Sequence, residues 1–409
     1  MGPILTSTEW FDGVTLEGQV LLNCCHTDLS SQTIEILQQL LTRPVNWPQF
    51  KQLAQYHGVI PLVSKALHQL SSSNIPDEIL QEFSTYVQAS LVLKRLILEE
   101  MLTISKVFSQ EGITVVPFKG PMLALSVYGG LELREFGDLD LLVKSSHITK
   151  ARAILTDLGY TGRRNQEPSE EGSPSPYNNF TKHNGMFRVD LQLGIRGSSF
   201  FFSLDQKLFW NNLEVVRIKD QEVLTFSPEI LLIILCLHGN KHVWEMAKWI
   251  GDISELLRKN PQLDWAQVAN LSKEMQCFRQ VLMGVCLAHK IFGLSLPPTI
   301  HRQIQNDQDI LRLSYGIPSS LIQNPSQRVY EKHREAFFLS LKETNWEKFR
   351  YGLQICASKN SPVIHDSLSW FRFQGRLQAL NHVYVFLLHV LPFKKLKKFI
   401  HCKLFPHNE

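Results

Sequence analysis

The spacing of apolar residues over the first quarter of the chain predicts helices. Between residues 30 and 110, apolar side chains recur every three or four positions, which places them on one face of an α-helix. The longest such segment covers residues 77–108, with apolar positions at Leu80, Phe83, Val87, Leu91, Leu98 and Met101. We therefore predict a helical N-terminal domain over residues 1–110.

After Gly112 the pattern changes to a β-α-β-α order. A β-branched run bounded by glycines begins the change and is typical of a buried strand. The predicted elements are a strand at 113–118, a short helix at 121–128, a strand at 138–143 and a helix at 147–158. A second domain of mixed character is therefore expected to begin at residue 111.

A polar segment and a hairpin come next. Residues 161–176 are rich in Gly, Pro, Ser and Glu, and we interpret them as an exposed loop insertion, with a substrate loop as the alternative. The dipeptide Asn184-Gly185 lies between alternating runs at 177–183 and 186–193, which is a strong local signal for two antiparallel strands. These strands extend the expected sheet.

The remaining elements complete an α+β fold class. A second strand pair is predicted at 215–218 and 223–226, and helical patterns return from Ser227 onward. We expect a mixed sheet over residues 111–226, flanked by the N-terminal helices and by a helical C-terminal region over 227–409.

Composition excludes several classes of protein and of partner. The 409 residues are 44% hydrophobic and 20% charged, as in folded globular proteins. A net charge of +4 without a large basic block gives no reason to expect a stable nucleic-acid partner. The seven cysteines form no C-x-x-C pair, and neither a secretory signal nor a transmembrane segment is apparent. A reducing, cytoplasmic location is the resulting expectation.

The most informative motif is Asp138-x-Asp140 on a predicted strand. The period of two along a strand places both carboxylates on one face. Two such charges about 5 Å apart repel by roughly 3 kcal/mol at an effective dielectric constant of about 20. A divalent cation such as Mg²⁺ would relieve this repulsion, and it commonly takes one or two protein carboxylates together with substrate phosphate.

Neighbouring residues support a phosphate and metal site. The first predicted strand leads into Lys119-Gly120-Pro121, where glycine permits a close backbone approach and proline favours a first helical turn. A helix N-terminus at this position could hold phosphate. Asp190 lies in a later alternating strand with apolar neighbours on either side and is a candidate third carboxylate.

These residues together resemble the polymerase-beta-like nucleotidyltransferase superfamily, whose pattern is a glycine turn, a paired-carboxylate strand and a third carboxylate. Four segments resemble, more specifically, a family of uncharacterised bacterial nucleotidyltransferases with flanking helical regions. They are AQYHGVIPLVSKAL at 54–67, FKGPMLALSVYG, REFGDLDLLV and LLIILCLHGNKHVWEMAKWIGDISELL. The resemblance implies a nucleotidyltransferase-fold sheet and transfer of a nucleoside monophosphate (NMP) from a nucleoside triphosphate (NTP) to a hydroxyl of a small molecule, peptide or protein.

The resemblance also implies roles for individual residues. Asp138 and Asp140 would bind Mg²⁺ on the triphosphate, while Asp190 would complete the metal site and activate the acceptor hydroxyl. Many superfamily members follow the glycine of the turn with serine or glycine, whereas Pro121 follows Gly120 here. Lys119 and backbone N–H groups would then carry more of the phosphate binding.

Three further basic residues are candidates for nucleotide binding. Arg134 precedes the first aspartate by four positions and could neutralise phosphate charge. His238 and Lys241 follow an apolar helical run, and the resemblance implies that this helix lies beside the nucleotide. A surface arginine and a solvated polar helix face are the simpler alternatives.

Two other functions remain open from the sequence. A catalytically silent nucleotide-binding or regulatory module would keep the fold and the nucleotide site; the Pro121 departure keeps this alternative open, although loss of the third carboxylate would have favoured it and Asp190 is present. A glycosyltransferase also uses an Asp-x-Asp motif to hold a metal against a nucleotide diphosphate, but it would need more strand and helix alternation before the motif than this chain has.

Overall fold

The computed structural model describes residues 14–70, 74–163, 178–193, 206–321, 334–349 and 351. Contacts divide the chain into two compact units, with the described residues up to 321 in the first and residues 334–349 and 351 in the second. The second unit contains helix α15 (Arg334–Ser340). The three-part division expected from the sequence stays a prediction. No helix in the described ranges has the length and apolar character needed to cross a membrane.

The N-terminal part of the first unit is helical, as predicted. Its helices are α1 (Leu16–Cys24), α2 (Ser31–Leu40), α3 (Trp47–Tyr56), α4 (Ile60–Leu70) and α5 (Asp77–Gln110). Thr15 caps α1 and Ser30 caps α2 by accepting hydrogen bonds from backbone N–H groups of the first turn. α5 ends before Gly112, whose φ of 70° turns the chain towards the sheet.

A mixed sheet follows, which confirms the α+β fold class. Its strands are β1 (Val115–Pro117), β2 (Leu139–Val143), β3 (Thr161–Arg163), β4 (Asn179–Lys182) and β5 (Phe187–Gln192), in the spatial order β1-β2-β5-β4-β3. β2 and β5 are parallel, whereas the other neighbours are antiparallel. β4 and β5 form the hairpin predicted around Asn184-Gly185. β6 (Leu213–Ile218) and β7 (Gln221–Phe226) form a separate two-stranded sheet.

One boundary of the predicted loop was wrong. Residues 161–163 were expected to begin an exposed insertion, but they form β3 and pair with β4. Thr161-Gly162-Arg163 has no apolar alternation, so its strand structure depends on hydrogen bonds to a partner later in the chain. Residues 164–176 of the predicted insertion lie outside the described residues.

Helices connect the strands and follow the sheet. Those between strands are α6 (Pro121–Leu123), which continues as a π-helical turn (Ala124–Tyr128), α7 (Ile148–Asp157) and α8 (Gln206–Trp210). Those after β7 are α9 (Pro228–Lys241), α10 (Ala247–Lys259), α11 (Trp265–Glu274), α12 (Phe278–Phe292), α13 (Pro298–Asn306) and α14 (Gln308–Leu321). Ser227 caps α9 at the predicted start, and residues 230–237 of that helix are all buried.

The alternation of β2 and β5 separates a core face from a polar face. Leu139, Leu141 and Val143 of β2 are buried in the same apolar cluster as residues of α5 and α7. Val189 and Leu191 of β5 join that cluster. Since successive side chains of a strand point to opposite faces, Asp140 and Asp190 lie on the other side of the sheet.

The segment that leads into β2 is fixed by two buried ion pairs. Arg134 Nε and Nη2 donate to the two carboxylate oxygens of Asp252 in α10, at 2.7 and 2.8 Å. The hydroxyl of Tyr128 donates to the same carboxylate at 2.7 Å. Lys94 of α5, which is 2% exposed, forms an ion pair with Glu135 at 2.9 Å. Both neighbouring helices therefore fix the backbone a few residues before Asp138.

Neutralising Asp252 should destabilise the fold strongly. In Asp252→Asn the buried Arg134 guanidinium loses its counter-charge, so we expect the free energy of unfolding to fall by about 3 kcal/mol or more. Denaturant unfolding of the full chain measures this change. Glu82→Gln is the matched control, because Glu82 pairs with Lys51 at an exposed site and its loss should cost less than about 1 kcal/mol. Equal effects of the two substitutions would contradict the anchoring role of Asp252.

Candidate active site

The turn after β1 requires glycine. Gly120 has φ 53° and ψ −125°, a conformation that side chains with a Cβ rarely adopt. A Cβ at this position would lie 2.8 Å from the backbone carbonyl oxygen of Asp138. The turn therefore packs directly against the backbone that carries the first carboxylate, and Pro121 then begins α6.

Asp140 and Asp190 face each other on adjacent strands, and Asp138 lies two residues before Asp140. Asp138 is exposed and directly precedes β2, while Asp140 lies within β2 and is partly buried. The parallel register pairs Asp140 with Asp190 of β5. Because paired residues on adjacent strands point to the same face, the carboxylates predicted from separate parts of the sequence are neighbours.

Two polar side chains hold the Asp140 carboxylate. Lys119 Nζ lies 3.6 Å from Asp140 Oδ2. Gln192 Nε2 donates to Asp140 Oδ1 at 2.6 Å and to Asp190 Oδ2 at 3.3 Å. Gln192 was missed by the sequence reasoning, although its position two residues after Asp190 places it on the same strand face.

Burial and neighbouring charge disfavour the ionised forms of Asp140 and Asp190. Burial raises the pKa of Asp140 and the charge of Asp138 raises it further, while Lys119 and Arg134 oppose the rise. Burial also raises the pKa of Asp190, with Asp140 as the next cause. A positive ligand would relieve the repulsion among these ionised carboxylates.

The three carboxylates offer the type of ligand atom that a hard divalent cation binds. Carboxylate oxygens are the ligands that Mg²⁺ and similar ions prefer. Within the described ranges, however, no group of three or more His, Cys, Asp or Glu side chains converges in the arrangement of a metal site. The Asp140 carboxylate instead contacts Lys119 and Gln192. Asp138, Asp140 and Asp190 could therefore hold a metal only if these internal contacts are exchanged for it.

Lys119 connects the carboxylates to helix α9. Its Nζ lies 3.3 Å from His238 Nδ1, which must accept the hydrogen bond because an ammonium group can only donate. Burial lowers the pKa of His238 well below its usual value, and the charge of Lys119 lowers it further. His238 is therefore neutral and orients the lysine. Its ring also contacts His242 and Trp249, with centroids 4.8 and 5.4 Å away.

The other predicted basic residues lie further from the carboxylates. Arg134 is buried in its ion pair with Asp252, close enough to Asp140 for each charge to affect the other's pKa. Lys241 is exposed at the last residue of α9, one turn beyond His238. The structure thus brings together Asp138, Asp140, Asp190, Lys119, Gly120 and His238, with Arg134 behind them and Lys241 at the rim.

Additional basic residues near Asp138 were not predicted as part of the site. Arg188 of β5 donates from Nε to the carbonyl oxygen of Gly137 at 3.2 Å, next to Asp138. Lys248 in the first turn of α10 is partly buried, and the charge of Asp138 acts on its pKa. Arg188 shares the strand face of Asp190, a signal that the sequence contains, whereas no local pattern connects Lys248 to the carboxylates.

Comparison with protein families gives a match that covers the whole site. The family model described as uncharacterised nucleotidyltransferase matches residues 43–293. This range runs from just before α3 to the end of α12, and includes the glycine turn, the three aspartates and the start of α10. A comparison with curated proteins finds none that matches. Because the family model covers more than half of the chain, this protein belongs to the family of uncharacterised nucleotidyltransferases.

Proposed function

We propose that this nucleotidyltransferase moves an NMP group from a Mg²⁺-bound NTP to a hydroxyl of a small molecule, peptide or protein. The observation that best supports this proposal is the direct register of Asp140 with Asp190, next to Asp138 and Lys119. We also propose that the protein acts in the cytoplasm without a stable nucleic-acid partner.

The carboxylates of Asp138, Asp140 and Asp190 are the proposed metal ligands. A divalent cation bound there would neutralise triphosphate charge and orient the phosphate that reacts. Gln192 donates to both Asp140 and Asp190, so it keeps the two carboxylates side by side for this role. Lys119 and Gln192 offset part of the repulsion in the ligand-free protein, and the bound cation would take over that role.

Lys119 and the Gly120 turn are the proposed phosphate contacts. Lys119 is held by Asp140 and by neutral His238, so its ammonium group is already oriented. Cation binding to Asp140 would leave Lys119 available for a phosphate oxygen. The absence of a Cβ at Gly120 allows phosphate to approach the backbone. Lys241 is proposed as a contact at the rim, and Arg134 as a buried charge that lowers the negative potential.

Asp190 is the proposed proton acceptor for the transfer. The acceptor hydroxyl oxygen attacks the α-phosphorus and forms the new P–O bond, while the bond from that phosphorus to the bridging oxygen breaks and pyrophosphate leaves. The hydroxyl proton passes to the Asp190 carboxylate. The parallel register places Asp190 beside Asp140, so its carboxylate would lie next to the groups that react.

Nucleotide binding should depend on a divalent cation and on the Asp-x-Asp pair. We expect wild-type protein to bind a non-hydrolysable NTP with Mg²⁺ and to bind it at least tenfold more weakly without the ion, since the carboxylates repel free triphosphate. In the double variant Asp138→Asn, Asp140→Asn, Mg²⁺ should no longer increase the affinity for the NTP. Isothermal titration calorimetry with each NTP measures both effects.

The matched control is Asp220→Asn, which changes an exposed aspartate in the β6–β7 turn and should bind like wild type. Cation-independent nucleotide binding that survives in the double variant would contradict the metal role and favour a silent binding module. Failure of folded wild-type protein to bind any NTP would contradict the proposed function.

Removing one of the facing charges should stabilise the ligand-free protein. Because burial and Asp140 raise the pKa of Asp190 in the folded state, its ionised form lowers stability at pH values above that raised pKa. Asp190→Asn removes this penalty at neutral pH but keeps an oxygen that can accept from Gln192. We expect a melting temperature about 1–3 °C higher, measured by calorimetry without divalent ions. A lower melting temperature would show that the Asp190 charge stabilises the fold.

A further inference from the structure

Lys248 is a partly buried lysine whose charge has no counter-charge in contact with it among the described residues. It lies in the first turn of α10 and is partly buried, yet it forms no ion pair or hydrogen bond with any residue in the described part of the chain. Burial is the main cause that lowers its pKa. An ammonium group that is partly withdrawn from water and has no partner among the described residues costs stability, so an anion that binds there would recover part of that cost.

Two contacts from the N-terminal helices fix the position of Lys248. The backbone N–H of the preceding residue, Ala247, donates to Nδ1 of buried His57 at 3.3 Å. Gly58, at φ 63°, leaves the space through which the lysine side chain runs, since a Cβ there would lie 2.9 Å from Lys248 Cδ and 3.4 Å from Nζ. The turn between α3 and α4 therefore directs the ammonium group rather than leaving it in solvent.

Lys248 lies one helical turn before Asp252 in α10, and Asp252 pairs with Arg134, four residues before Asp138. After burial and the charge of Arg134, the pKa of Lys248 responds to Asp252, Asp138 and Glu135. Asp252 is already paired with Arg134, and Glu135 is paired with Lys94. Asp138 has neither an ion pair nor a hydrogen bond within the described ranges. Lys248 and Asp138 therefore act on each other electrostatically, although neither has an ion pair or hydrogen bond with a described residue.

A metal-bound phosphate would satisfy both groups, with the cation on Asp138 and a phosphate oxygen on the ammonium group. We propose that Lys248 binds a phosphate oxygen of the NTP across from Asp138, and that the α3–α4 turn is present in the fold to place it. The inference rests on the proposed function. It differs from the roles of Lys119, which already contacts Asp140 and His238, and of Lys241, which is exposed.

The test compares Lys248→Met with Lys259→Met. Methionine keeps the length of the apolar stem that passes Gly58 but removes the charge. Lys259 is the last residue of the same helix and is exposed, so its substitution makes the same chemical change away from the site. Calorimetric binding of inorganic tripolyphosphate and of a non-hydrolysable NTP, each with Mg²⁺, is measured for both variants and for wild type.

We expect Lys248→Met to bind both ligands about 10- to 100-fold more weakly than wild type, because one charged hydrogen bond is lost. Lys259→Met should bind like wild type. Without ligand, Lys248→Met should melt at the same temperature as wild type or higher, because it removes an unpaired buried charge. Lys248→Arg, which keeps the charge, should retain most of the affinity and serves as the second variant if the methionine protein does not fold.

Three results would overturn the inference. Affinity within twofold of wild type in Lys248→Met would show that the ammonium group does not contact phosphate, even if Asp138→Asn, Asp140→Asn abolishes binding. Equal losses in Lys248→Met and Lys259→Met would indicate a general charge effect. If wild-type protein binds neither ligand, the proposed function fails together with the inference, whereas the first result overturns the inference alone, so the two failures are distinguishable.

Discussion

Repulsion among Asp138, Asp140 and Asp190 is the constraint on which the rest of the site depends. The parallel register of β2 and β5 sets Asp140 and Asp190 side by side, and burial makes their charges more costly than in water. Lys119 and Gln192 offset part of this cost in the ligand-free state. A strongly acidic edge held by exchangeable contacts is a natural place for a cation to bind, together with the phosphates that it carries.

The helices that pack around the sheet fix the positions of the three aspartates and of Lys119. α5 and α7 cover the apolar face of β2 and β5, which fixes the side of the sheet on which the aspartates emerge. α10 holds the segment before β2 through Asp252 and Arg134, while α5 holds it through Lys94 and Glu135. α9 supplies His238 to orient Lys119. Elements distant in sequence therefore determine the positions of a few atoms, which explains why the family match extends well beyond the sheet into both helical parts.

Local sequence patterns could predict much of this architecture, but not the contacts between distant elements. Alternation along β2 and β5 is a local property, so the strand positions of Asp140 and Asp190 could be predicted. Alternation made Asp190 a candidate third carboxylate, but its direct register with Asp140 depends on strand pairing across an intervening helix and hairpin, which no local pattern fixes. β3 was assigned to a loop because its only support is hydrogen bonding to β4. Arg134 was predicted to bind phosphate from its distance to Asp138 in sequence, whereas its strongest contact is Asp252. Gln192 had a local signal that was overlooked, and Lys248 had none.

The most direct test of the account is anomalous diffraction from crystals soaked with Mn²⁺ and a non-hydrolysable NTP. Mn²⁺ takes oxygen ligands as Mg²⁺ does and can be located by its anomalous signal. The account predicts a peak between the carboxylates of Asp138 and Asp140, with Asp190 adjacent, triphosphate oxygens on the metal and Lys119 moved from Asp140 to phosphate. Nucleotide bound with Lys119 still on Asp140 and no metal at the three carboxylates would contradict it.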